Sequence, residues 1–501
     1  MIMTHPGLPA LWAIMIAALA CVFVLRAMFS IPQGMYRSSG LVLQSARLRS
    51  VLTRPWLLLL FKIVILGFFL LVILAGLLGT PVAGHNIATV LTWNLWWAGL
   101  ILTVFLFGSA WCGMCPWDTL ATWLVRQRTW GRNRAAISLN LKVPARWRNV
   151  WPATWMFIGL TWLELGVGVT TSPYMTALLS LIMIVLATLS LAVFEGKAFC
   201  HYVCPVGRTI GVYAQLSPLK LRSLDSDVCT SCKTLECFHG NEKIEACPTH
   251  LMMGSLQQST YCTSCGNCTQ SCPHDNISWR LQTVSHEAIQ DARPHWDEAW
   301  FMLVLLALTS FHGLTMLPGW EASIRQLAQY IGDSGQLLMS FSAGLFVSML
   351  LPIALYALCI GLWRQLYCST HSFRQLFSGM AFVAIPLAFS YHLAHNLNHL
   401  VRENSDLAAL LSDPFGKAVM SATTHTRSMT MWLSQDSLFL IQAGLMVFGM
   451  WIAVKVIRHR GVALVPAMQA AAWKLWPLLL FALLVVMCNT WLLAQPMTMR
   501  M

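Results

Sequence analysis

Twelve of the 16 cysteines fall between Cys112 and Cys272, and their spacing decides what chemistry they could do. Cys262-x2-Cys265-x2-Cys268-x3-Cys272-Pro273 has the spacing of the bacterial ferredoxin run. Three thiolates on a tight loop cap three irons of one cubane. The fourth, held by proline at a turn, points away and serves another cluster. A second set exists: Cys229-x2-Cys232-x4-Cys237, followed by Cys247-Pro248. By the same crossover, Cys229, Cys232 and Cys237 would join Cys272, and Cys262, Cys265 and Cys268 would join Cys247, giving two [4Fe–4S] clusters. A zinc site, the ordinary alternative, usually shows paired C-x2-C knuckles.

Two more pairs lie outside this run. Cys112-Gly-Met-Cys115-Pro116 ends one apolar segment, and Cys200-His-Tyr-Val-Cys204-Pro205 follows another. Together they are four thiolates at one membrane surface, enough for a third iron–sulfur cluster or a redox dithiol centre. The bland reading is that they only pack, which is how Cys21, Cys359, Cys368 and Cys488 read.

Histidines make a second candidate site. His392, His395 and His399 are spaced i, i+3 and i+7, so they share one face of a helix. His312 lies near the same end of a neighbouring segment, His85 opens another, and His425 lies in a loop on that side. Three versions fit: haem b with His312 and one of the others as axial ligands, a copper site, or a quinone pocket in which a histidine accepts a proton. The bland alternative is hydrogen bonding to the lipid interface and to Asn396 or Asn398. Glu164, inside an apolar segment, is a candidate proton carrier or an ordinary hydrogen-bonded carboxylate.

The elements that must position these residues follow from composition. Of 501 residues, 57% are apolar and 10% charged, against about 25% charged in a soluble domain. That excludes a soluble globular enzyme, a disordered chain and a small disulfide-stapled domain. A spanning helix needs roughly 20 mostly apolar residues. Ten segments qualify: about 8–29, 56–79, 87–111, 151–170, 174–195, 297–317, 336–361, 376–400, 434–457 and 474–494. Tryptophans near their ends, such as Trp93, Trp96, Trp97, Trp111 and Trp117, read as an interfacial aromatic belt.

Lysine and arginine set the orientation. Arg37, Arg47, Arg49 and Arg54, then Arg126, Arg128, Arg132 and Arg134, then Arg364 and Arg374, then Arg458 and Arg460 all fall on one side of a ten-span chain. The insert 196–295 is then cytoplasmic, its thiols reduced rather than in disulfides, and both termini lie outside. The net charge of +13 belongs to these loops and gives no reason to expect a nucleic-acid partner. The expected architecture is an all-α polytopic membrane protein with an inserted two-cluster ferredoxin-like domain. Its regions are 1–55 (first span and basic loop), 56–195 (spans with the first Cys-Pro motif), 196–295 (second Cys-Pro motif and ferredoxin domain) and 296–501 (five histidine-bearing spans).

These motifs resemble a known family, the membrane-bound polyferredoxins that include the NapH-type quinol dehydrogenase subunit, the NosR-type regulator and the CcoG-type assembly protein. The resemblance rests on WCGMCPWD at 111–118, FCHYVCPVG at 199–207 and two ferredoxin motifs in the insert, and covers about residues 56–295. The family has three residues between the cysteines of each Cys-Pro motif. Cys200 and Cys204 match, whereas Cys112 and Cys115 are one residue closer. The resemblance implies a bacterial inner-membrane oxidoreductase component that carries electrons between the quinone pool or a cytoplasmic donor and a respiratory redox partner. The runner-up is an assembly or regulatory factor that reduces or handles a metal such as copper.

Overall fold

The computed structural model describes residues 3–30, 41–42, 54–127, 138–402, 407–418 and 433–499. Arg37, Arg47, Arg49, Arg128, Arg132, Arg134 and His425 lie outside them. Every expected apolar segment is helical: α1 Ala10–Phe29, α2 Pro55–Leu78, α3 Ile87–Phe107, α4 Trp151–Trp162, α5 Pro173–Val193, α6 Trp296–Thr315, α7 Leu338–Tyr367, α8 Phe373–Arg402, α9 Gln435–Leu464 and α10 Trp476–Ala494. Proline stands in the first turn of α2, α4, α5 and α10, where its missing N–H costs nothing. Ser172 and Ser434 cap α5 and α9 by accepting backbone N–H bonds.

Among the described residues, nine of these helices are long and apolar enough to cross a membrane. The exception is α4. Its α-helical part is short, and a π turn, Leu163–Val167, extends it before Gly168 breaks the chain at φ +82°. Strand β1 (Met3–His5) pairs antiparallel with β5 (Met497–Met499), and Thr498 N–H donates to Met316 O just beyond α6. Both ends of the chain therefore meet at the end of the bundle away from the insert. With nine long helices between them, this shared end requires α4 to run along the bundle as well.

Helix α8 is the axis of the second half. Every residue from Ala384 to Asn398 is buried, against α9, α6 and α3. Helix α1 packs on α9 and α10, so the N-terminal segment belongs in space with the C-terminal half.

The insert is built on a three-stranded antiparallel sheet, in the order β2 (Leu41–Val42), β4 (Ile277–Leu281), β3 (Leu219–Ser223). Leu221, Met253, Cys268 and Ile277 form its small core. A buried charge knot fastens it to the bundle. Glu287, fully buried, pairs with Lys220 at 3.1 Å and with Arg222, and accepts from Ser259 N–H and Oγ–H at 2.8 and 2.9 Å. From the bundle side, Arg460 of α9 donates to the carbonyls of Ala288 and Ala292 at 2.6 and 2.9 Å.

Candidate functional site

The twelve cysteines gather in three groups. In the outermost, Cys237 has the thiols of Cys272, Cys229 and Cys232 as electrostatic neighbours. Asn276 joins two of them: its side-chain amide donates to Cys229 Sγ at 3.3 Å and its backbone N–H to Cys272 Sγ at 3.4 Å. In the middle group, Cys268 neighbours Cys265, Cys262 and Cys247. Cys237 also acts on Cys268, so the two groups lie close together. Hydrogen bonds to cluster sulfurs raise the reduction potential. Asn276→Ala, which deletes one such bond of about 1 kcal/mol or slightly more, is expected to lower the potential of the cluster at Cys229 by roughly 40–60 mV. An EPR-monitored redox titration reads this shift directly.

The third group is the two Cys-Pro pairs. Cys112 neighbours Cys115 and Cys204, and Cys200 neighbours Cys204 and Cys115. Cys112 sits in the short helix Ala110–Met114 and Cys115 precedes the helix Pro116–Arg126. Cys200 sits in a π turn, Phe199–Val203, and Cys204 precedes the helix Pro205–Tyr213. The π turn absorbs the extra residue of the second motif. A π turn holds about one residue more than an α turn, so both motifs deliver their second cysteine to the start of a helix. There Cys204 Sγ accepts Gly207 N–H at 3.3 Å, the arrangement that favours a thiolate. Burial first, and then the negative charge of Asp118 and the neighbouring thiols, pushes these thiols up, Cys115 to about 12, and metal binding is what releases such protons.

Arg208 tests whether an anionic cluster fits here. It is buried, stands close enough to lower the Cys112 and Cys204 thiols, and donates one bond, to Cys200 O at 3.0 Å. Its Nε and Nη1 have no partner. Beyond that bond it has the ring of Tyr261, 4.5 Å away, but no carboxylate pairs with it among the described residues; a buried guanidinium without a counter-charge is costly, and the net negative charge of a four-thiolate iron–sulfur cluster would supply one. Nothing in the sequence sets Arg208 apart from the other basic residues on that side. Lys197 adds a second cation. It pairs with Asp118 at 2.6 Å, tying the two Cys-Pro helices together, and lies between Cys200 and Cys265.

The middle and third groups are in direct contact. A Cβ on Gly113, between Cys112 and Cys115, would stand 3.1 Å from Ser264 O and 3.3 Å from Thr263 O. The ferredoxin loop thus lies on the backbone of the first Cys-Pro motif.

The tryptophans do not form a simple belt. Trp96 meets Trp111, Trp97 and Trp117 with ring centres 5.6, 5.8 and 6.1 Å apart. Trp96, Trp111, Trp117, Phe68, Phe69 and Cys115 line an apolar cavity of about 390 Å³ between α2 and α3. All three indole N–H groups are buried without a partner.

At the opposite end of the bundle, His312, His395 and His399 bring their ring nitrogens within 4.8 Å of one another. His392 does not join them. It lies about one helical turn deeper than His395, where Tyr213 Oη bonds its Nδ1 at 3.1 Å. Helical periodicity gives a face but not a depth. Glu164 Oε1 stands 3.9 Å from His312 Nδ1. Both border a cavity of about 440 Å³ together with His399, Asn396, Trp93 and Trp97.

A family model described as a 4Fe-4S binding domain matches residues 89–134 and 176–222. The chain carries an iron–sulfur domain. Each match contains one Cys-Pro motif, and both end before Cys229. "Putative electron transport protein YccM" of Escherichia coli (strain K12) is 28% identical over 151 residues, which is 29% of this chain and 38% of that protein. The uncharacterized protein MJ0749 of Methanocaldococcus jannaschii is 25% identical over 224 residues, 44% of this chain and 82% of its own. MJ0750 of the same organism is 27% identical over 113 residues, 23% of this chain and 42% of its own. The match with YccM thus spans well under half of that protein's length. No solved structure matches significantly. Together, the matched domain and the YccM relative support iron–sulfur electron transfer.

Proposed function

We propose that this chain is a membrane-embedded relay. In it Cys229, Cys232, Cys237 and Cys272 hold one [4Fe–4S] cluster, Cys247, Cys262, Cys265 and Cys268 a second, and Cys112, Cys115, Cys200 and Cys204 a third. When bound, each cluster supplies reversible one-electron transfer. The protein supplies ligands, burial and orientation. Asn276 tunes the first cluster. Lys197 and Arg208 neutralise charge at the third, where water is scarce. The observation that carries the reading is the contact of Gly113 with the 263–264 loop, which sets the third cysteine group beside the second.

The insert is placed in the cytoplasm, on the side of the arginine-rich loops. The exchange partner within the membrane is a quinone. The cavity beside Cys115 has the size of a small-ligand pocket. It opens between helices whose outer faces are apolar, including Phe61, Val64 and Phe68, and it offers three indole N–H donors to carbonyl oxygens. The other partner is a redox protein docking on the insert.

Anaerobically purified protein should carry about twelve iron atoms and twelve sulfides per chain, four of each per cluster. Its dithionite-reduced clusters should be reoxidised by a short-chain quinone. Zinc in place of iron, or clusters indifferent to quinone, would remove the corresponding part of this reading.

A further inference from the structure

We infer that His312, His395 and His399 form a binding site for a single first-row transition-metal ion at the end of the bundle remote from the cysteines. The inference stands apart from the relay, because it rests on different residues at the opposite end of the molecule.

Three observations carry it. First, the donor atoms converge within 4.8 Å; nitrogens bound to one ion at about 2.0–2.1 Å stand no more than about 4.2 Å apart, so the three rings need close by only a few tenths of an ångström to share one. Second, His395 is 2% exposed and, among the described residues, neither of its ring nitrogens has a hydrogen-bond partner. A buried imidazole with an unmet donor and an unmet acceptor is costly; a metal bond would satisfy one of them. Third, the polar cavity of about 440 Å³ reaches His312 and His399. It leaves an open coordination position facing the cavity, as in metal sites that exchange ligands. Glu164, 3.9 Å from His312 Nδ1, stands where carboxylates orient metal-bound histidines.

The donor set narrows the ligand. Three neutral imidazoles suit copper, zinc, nickel or iron and not magnesium or calcium. They do not suit haem. With any two of these histidines as axial ligands, the third would stand within the plane of the porphyrin. The site is also joined to the cysteine end by packed rings. Trp111, next to Cys112, meets Trp96 at 5.6 Å, Trp96 meets Trp97 at 5.8 Å, and Trp97 lines the cavity beside His399.

The test uses the full-length protein with its clusters oxidised and copper(II) alone as the probe. One copper per chain is expected, with EPR nitrogen couplings from three imidazoles. His312→Leu and His395→Gln should each weaken binding at least about a hundredfold, the upper end of what loss of even an outer-shell partner costs. His392→Gln should leave the copper signal intact, since its ring is turned to Tyr213. Iron content is measured in every variant. Retained iron shows that the fold and clusters survive, so loss of copper alone reports this site. Copper bound without imidazole coupling, copper bound equally by the His312→Leu/His395→Gln double variant, or no binding at all would overturn the inference.

Discussion

Cys200→Ala should reduce the iron content from about twelve to about eight atoms per chain while leaving the two ferredoxin signals in place. Reoxidation of the remaining clusters by a short-chain quinone should fall to background. Cys200 lies between Cys204, Cys115 and Lys197, so it belongs to the group that touches the lipid-facing cavity. Removing one of four thiolates opens the cluster and also takes from Arg208 negative charge that it offsets, whereas Lys197 keeps its pair with Asp118. If the four cysteines only packed, the substitution would delete a single sulfur from a buried position. Iron would then be unchanged and stability would fall modestly. Unchanged iron with normal quinone reoxidation would make the Cys-Pro motifs structural and break the relay at its membrane end.

Glu287→Gln is expected to destabilise the insert by about 3–5 kcal/mol, the usual cost of leaving buried cations unpaired. The loss should appear as a fall of at least about 10 °C in the temperature at which iron–sulfur absorbance disappears. Burial already pulls Lys220 down to about 8 against the attraction of Glu287, so without Glu287 this lysine can shed its proton. Arg222 cannot, and its buried guanidinium carries most of the penalty. The control is Arg325→Ala. Arg325 bonds Glu321 on an exposed helix face, where both side chains are more than half accessible, and such pairs contribute about 0–1 kcal/mol. Equal effects from the two substitutions would mean that the knot does not hold the insert.

How much of this was legible in the sequence depends on the kind of signal. Apolar runs of spanning length marked α1 to α10, because in lipid the backbone must satisfy itself within one segment, but not the shorter helices such as Pro116–Arg126 and Pro205–Tyr213. The end of α4 was not legible: a π turn and Gly168 replace its last turns, and neither alters apolar composition. That the cysteines of the insert gather was legible, because short spacings such as x2 and x3 keep thiols near one another. The histidine site was legible in part. His395 and His399 share a face one turn apart, but the approach of His312 depends on how α6 packs on α8. Arg208 and Asn276 were invisible, since an arginine in a basic region and an asparagine after a cysteine run are both common. The tryptophans misled, because proximity to span ends says nothing of whether their rings meet.

The π turn at Cys200 also bears on ancestry. One inserted residue is the simplest event that makes such a turn, and the iron–sulfur model matches this chain twice, once over each Cys-Pro motif. The two hairpins can therefore be aligned as copies of one ancestral unit only if a gap opens inside the motif itself. A gapless comparison sets Cys115 opposite Val203 instead of Cys204. The unequal spacing is then a trace of a one-residue length change in one of the two copies, and homologues with either spacing belong in the same alignment column.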